Sequence, residues 1–179
     1  LDVAGWDHFL ERYARRVDDG SVRVDYGAVT PTERAALTRW LAAQQALDPT
    51  ALTRDAQLAY WINLYNAATI DLVLAAYPVR TILKIDGGLF NTGPWDEKRL
   101  KVNGVDLSLD DVEHGILRPV WRDARVHYAV NCASIGCPNL DAKPWASGGL
   151  DARYDAAAQA YVNHPRGASV RDGQLIVSK

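Results

Sequence analysis

Both cysteines of the chain lie in one segment, Arg125-Val-His-Tyr-Ala-Val-Asn-Cys-Ala-Ser-Ile-Gly-Cys-Pro138, together with one of its four histidines. The segment reads as a strand that breaks into a small-residue loop carrying Cys132. A cysteine released into a Ser/Gly/Pro loop can expose its thiolate, the form that attacks carbon or binds metal. A nucleophilic cysteine also needs a base and a group that orients the base, brought together by the fold rather than by sequence. His114, on the helix ahead of the loop, is far enough away in sequence to dock against it and is favoured as the base. His127 precedes Cys132 by five residues. A straight strand of that length separates the pair by about 16 Å, so direct contact requires the chain to fold back. His164, before Pro165 at a helix exit, is placed at the surface. Glu113 adjoins His114, but successive helical side chains point about 100° apart, which puts Glu113 on the pocket wall rather than directly behind the imidazole. Asn63, Asn66 and Asn131 are competing orienters, and backbone amides after Cys132 can supply an oxyanion site.

Three fates remain open for Cys132: a reactive thiol, a structural thiol or disulfide with Cys137, and a metal ligand. A metal site would combine Cys132 and Cys137 with His114 or His127, donors that suit zinc. The Cys-x-x-x-x-Cys spacing is loose and no second Cys or His pair lies close in sequence, so no metal is assigned. There is no phosphate-cradling glycine loop, His-Glu-x-x-His helix or Gly-x-Ser-x-Gly elbow, and no cofactor is assigned either.

Composition narrows the class. A chain of 179 residues with 48% hydrophobic and 23% charged residues is that of one ordinary globular domain. The formal charge is −2, and the basic residues are scattered, which argues against a nucleic-acid partner. No apolar run approaches the roughly 20 residues of a membrane span. The chain starts at Leu1 and has no methionine, which leads to the expectation that a leading segment is absent. Two cysteines are compatible with a disulfide in an oxidising compartment or two thiols in a reducing one.

The elements that have to position these residues follow from periodicity. Phe9, Leu10 and Tyr13 recur at helical spacing over Trp6 to Arg16, and Val22, Val24 and Tyr26 alternate as a brief strand. Pro31 suits the first turn of a second helix with Leu37, Trp40, Leu41 and Leu47 as its apolar stripe. The segment Arg54 to Ala76 is apolar on nearly every face, which predicts a buried central helix, and Asn63 and Asn66 lie on one face of it. Amides buried there have to be hydrogen-bonded, either bracing loop backbone or lining a pocket. Gly87, Gly88, Asn91, Gly93 and Pro94 mark a covering loop, and Asp96 to Arg99 a solvated face. Asn103-Gly104 predicts a hairpin between Leu100-Val102 and Val105-Leu107, after which Ser108 caps a helix over Leu109 to Leu117. A last helix over Leu150 to Val162 and a hairpin around Asp172-Gly173 complete a helix-rich α+β single domain with a small antiparallel sheet.

Several ordered motifs together resemble the domain-of-unknown-function family number 547. They are Ala59-Tyr-Trp-Ile-Asn-Leu-Tyr-Asn-Ala-Ala68, Tyr77-Pro78, Pro94-Trp95, Leu107-Ser-Leu-Asp-Asp-Val-Glu-His-Gly-Ile-Leu-Arg118 and the cysteine segment. The resemblance runs over nearly the whole chain. It implies that Glu113, His114, His127 and Cys132 belong to signature segments, with Asn63 and Asn66 in the central helix. The position matching Cys137 varies among similar proteins, which weighs against a required disulfide or two-cysteine metal site. Export to the cell envelope of a bacterium is implied. Similar proteins continue past the segment matching Ser178-Lys179 into an aromatic-rich end, so a short C-terminal element is expected to be missing here.

Two functional expectations result. One is a thiol-dependent hydrolase or acyltransferase of papain-like logic in rearranged chain order, with Cys132, His114 and Glu113 as catalytic residues and Asn63, Asn66, His127 and Asn131 contacting a peptide or small thiol-containing ligand. Trp61, Tyr65 and Trp95 would shape its pocket or pack the core. The other is a noncatalytic binding module of the cell envelope in which Cys132 is buried.

Overall fold

A computed structural model describes residues 1–85 and 93–178 of the chain. Helix α1, Ala4–Tyr13, buries Trp6, Phe9, Leu10 and Tyr13 on one face. It stops short of Arg16 because Ala14–Arg16 (β1) turns extended and pairs antiparallel with Val22–Val24 (β2), Ala14 opposite Val24. Backbone pairing thus overrides the helical spacing at its last turn. Helix α2, Pro31–Gln45, begins with Pro31, and the Thr30 hydroxyl accepts from the Glu33 N–H at 3.2 Å. The two helices meet at Gly5, where a β-carbon would lie 2.8 Å from Trp40 Cδ1, so only glycine permits this approach.

Helix α3, Arg54–Ala76, is the centre of the molecule. Every residue from Leu58 to Ala67 is buried, as its unbroken apolar circumference predicts. A 3₁₀ turn, Ile82–Lys84, follows. The connection through Gly87, Gly88 and Asn91 lies outside the described residues. Asp96 to Arg99 is exposed. Strands β3, Leu100–Val102, and β4, Val105–Leu107, then pair around Asn103-Gly104, whose φ angles of 50° and 77° are those of a tight hairpin turn.

Helix α4 covers residues 109–121, with Asp111–Leu117 wound as a π-helix before Arg118–Trp121 returns to α geometry. Two elements follow, α5, Val126–Ala129, and α6, Leu150–Val162. Strands β5, Ala168–Arg171, and β6, Gln174–Val177, close the described chain around Asp172-Gly173.

Among the described residues the strands form three separate two-stranded ribbons rather than one sheet. None is a structural floor for the helices. One buried cluster runs from Trp6 to Tyr154, so the chain is a helix-rich α+β single domain organised around α3. No helix of the described residues is long and apolar enough to cross a membrane.

Candidate functional site

The site is built outward from two asparagines of α3. Asn63 donates to the Trp145 carbonyl at 2.8 Å and accepts from the Trp145 N–H at 2.9 Å. Asn66 does the same one turn later, donating to the Ala129 carbonyl at 2.9 Å and accepting from the Asn131 N–H at 2.8 Å. Each primary amide satisfies one backbone donor and one acceptor, so two irregular segments are held against a buried helix as a strand neighbour would hold them. Both side chains are spent on this bracing, and neither lines the cleft described below.

That arrangement also explains why the segment before Cys132 is not the strand its composition suggests. With no partner strand beside it among the described residues, Val126–Ala129 winds into the single helical turn α5, burying Val126 and Ala129 three residues apart. Only Val130, with φ −100° and ψ 139°, is extended before the loop begins. The straight-strand separation of His127 from Cys132 therefore does not apply.

The loop from Asn131 to Pro138 is stapled from several sides. Asn131 accepts from the Ala133 N–H at 2.9 Å and donates to the Pro138 carbonyl at 2.7 Å, closing the loop on itself. The Tyr161 hydroxyl donates to the Gly136 carbonyl, and Arg166 donates to the Ile135 carbonyl at 3.3 Å. Cys132 and Cys137 are joined as a disulfide, with their Cα atoms 6.1 Å apart. Of the three fates left open for Cys132, the structure shows the disulfide with Cys137. In this state Cys132 is neither a thiol nor a free metal ligand.

Facing the loop is the π-helical stretch of α4. Its start is fixed by a reciprocal cap: the Ser108 hydroxyl accepts from the Asp111 N–H at 3.1 Å, while Asp111 accepts from the Ser108 N–H at 2.7 Å. Pro119 falls within the helix and lacks the N–H that would continue the ladder, and its ring crowds the preceding turn. The wide turn that precedes it gives that ring room. A π turn places residues five apart on one face, and Arg118 duly reaches back to Glu113, with Nη2 at 2.6 Å and Nε at 3.1 Å from Oε1. It also narrows the angle between neighbours: His114 Nε2 lies 4.0 Å from Glu113 Oε1 and 3.7 Å from Asp110 Oδ1. Two carboxylates therefore face one imidazole.

A cleft of about 390 Å³ lies between the two structures, lined by Tyr65, Trp95, Asp110, Glu113, His114 and Cys132, with Thr81, Ile82, Leu83 and Ser134. The Asp110 N–H donates to the Trp95 carbonyl at 3.1 Å, tying the aromatic wall to the start of α4. Burial first, and then the negative charge of the nearby Glu113 carboxylate, push the Tyr65 phenol well above its ordinary value.

The structure thus brings Cys132, His114 and Glu113 into one cleft, and leaves four other sequence candidates outside its lining. Asn63, Asn66 and Asn131 hold backbone. His127 packs edge-on against Tyr128 and Tyr161, with ring centroids 5.3 and 6.2 Å away. Partial desolvation and then the Arg118 guanidinium hold its pKa down, against an opposing pull from Glu113. His164 is half-buried rather than at the surface, its Nε2 2.7 Å from the Asp19 carbonyl oxygen. Trp61 is a core residue packed edge-on against Tyr60, whereas Tyr65 and Trp95 do shape the cleft. Asp110 was missed, although its position four residues before His114 is the spacing of a helical pair. Arg118 carried no such signal, because its contact depends on a five-residue period. No group of three or more His, Cys, Asp or Glu among the described residues is arranged to hold a metal ion.

No curated protein and no solved structure matches this chain. A family of proteins of unknown function, DUF547, matches it over residues 49–162, a span that holds α3, the cleft, the cysteine loop and α6. That match covers well over half of the sequence, and the chain belongs to the DUF547 family.

Proposed function

We propose that the reduced protein is a thiol-dependent hydrolase or acyltransferase with Cys132 as its nucleophile. The observation that carries this reading is the shared lining of one cleft by Cys132, His114 and Glu113. Two equivalents of an external thiol, or one dithiol, first reduce the Cys132–Cys137 disulfide to two thiols by way of a mixed disulfide and are themselves oxidised to a disulfide. His114 then takes the Cys132 proton, the thiolate attacks a carbonyl carbon, and the imidazolium returns the proton to the departing group as the thioester forms. Water or another acceptor attacks the thioester in turn and releases Cys132. Asp110 and Glu113 stabilise the imidazolium from the pocket wall, and Trp95 and Leu83 receive apolar parts of a peptide or small thiol-containing ligand. An exported, cell-envelope location in a bacterium belongs to the same proposal.

The disulfide itself favours a second reading, a noncatalytic binding module in which the bond fixes the cleft wall. Alkylation separates the two. The protein is treated with reductant and chelator, freed of both, and labelled across a pH series with site-resolved mass spectrometry. Catalysis predicts a Cys132 labelling midpoint well below the free-thiol value of roughly 8.5, moving back up in His114→Ala. A midpoint near that value, unmoved by His114→Ala, would leave the binding module.

A further inference from the structure

We propose that the cleft selects an organic cation, an ammonium or guanidinium group carried on an alkyl stem, as in a lysine-like side chain or a free alkylamine. The proposal rests on the same cleft being the ligand site, and names the ligand class it takes. Asp110 and Glu113 are its acidic lining residues, and no Lys or Arg lines it among the described residues. The two carboxylates are not equivalent. Glu113, with only 14% of its side chain exposed, is countered from behind by Arg118. Asp110 is 50% exposed, and the ion-pair partner it has among the described residues is His114 at 3.7 Å. The nearby Lys98 is taken by Asp111, which does not line the cleft. Among the described residues, the Asp110 charge therefore stands at the cleft wall with no Lys or Arg of the lining to neutralise it.

The remaining walls suit the rest of such a ligand. Trp95 offers an indole and Tyr65 a phenol ring, surfaces that attract a cation through the ring quadrupole. Ile82 and Leu83 offer apolar contact to an alkyl stem. A carboxylate or phosphate ligand would instead meet Asp110 and Glu113 with like charge.

The test uses the disulfide-intact protein, so it is independent of whether Cys132 is ever a nucleophile. Three probes share a five-carbon chain and differ in head group: pentylamine, which is protonated at neutral pH, pentanol and pentanoate. Binding is followed through the indole N–H resonances of protein labelled at its six tryptophans, with Trp95 assigned from Trp95→Phe. Pentylamine should give a saturable Trp95 shift with an affinity about tenfold above pentanol, the size expected from one or two partly exposed charge pairs. Pentanoate should be weakest, and added salt should erase most of the preference. Asp110→Asn, with an unchanged circular dichroism spectrum, should cut the preference several-fold. The salt dependence of the unaltered protein gives the same discrimination if that variant misfolds. Equal affinity for pentanol or pentanoate, a preference indifferent to salt and to Asp110→Asn, or no saturable Trp95 shift with any probe would overturn the proposal. The alkylation experiment tests Cys132 separately, so either idea can fail alone.

Discussion

At the residue scale, Asp111 shows how one carboxylate secures the helix that carries the cleft. Its Oδ2 accepts from the Ser108 N–H at 2.7 Å and hydroxyl at 2.9 Å, and it pairs with Lys98. The bond from Lys98 first, then those from Ser108, hold its pKa down at about 2. A carboxylate depressed in the folded state contributes stability that is complete above its unfolded value of roughly 3.9 and is lost as pH falls through the folded value. Asp19, Asp48 and Asp123 are depressed as well, so acid sensitivity is shared. Subtracting the unfolding profile of Asp111→Asn from that of the unaltered protein isolates the one group. The difference should be constant above about pH 4 and shrink between about pH 4 and 2; a difference that stays constant down to pH 2 would show that the cap does not depend on the charge. Ser108 is legible as a cap because the residue type and its position before an apolar-periodic segment suffice to identify one.

At the element scale, the cleft depends on two devices that have no counterpart in standard periodicities. One is the π turn, which aligns Glu113 with Arg118 and draws His114 toward Glu113. An α-helical reading sends neighbours about 100° apart and so puts Glu113 on the wall without a contact to His114. The other is the pair of amide clamps on α3. Asn66→Ala would strip a partner from the Ala129 carbonyl and from the Asn131 N–H, both beside the cysteine loop. The expected loss is about 2–4 kcal/mol in urea unfolding, since two backbone groups are left without their bonds in a packed region. Asn63→Ala should cost a similar amount through Trp145, but without loosening the cysteine loop. Hydrogen exchange at the Ala133 and Cys137 amides would therefore rise in the first variant more than in the second. Equal exchange in both would contradict the assignment of Asn66 to this loop.

At the scale of the whole molecule, the disulfide closes a short loop, with a sequence separation of five. A loop of that size is worth about 2 kcal/mol in chain entropy. The loop is also held by Asn66, Asn131, Tyr161 and Arg166, none of which requires the bond. Reduction should lower the unfolding midpoint modestly while the far-ultraviolet circular dichroism stays unchanged, with Cys132 freed at the cleft wall. Collapse of the helical signal on reduction would show that the staples depend on the disulfide. What the sequence determined by itself is what local physics controls. Pro31 in the first turn of α2, the cap at Ser108, the Asn103-Gly104 and Asp172-Gly173 turns, the buried circumference of α3 and the need of its two asparagines for partners all follow from side-chain type and spacing. Tertiary structure decided the rest. The partners of Asn63 and Asn66 lie far along the chain at Trp145, Ala129 and Asn131. The helical turn in place of a strand before Cys132 reflects the absence of a neighbouring strand among the described residues, which no local pattern encodes. The meeting of Cys132 with His114 and Glu113 follows the same logic, because α3 clamps the cysteine loop on one side while α4 packs against α3 from another.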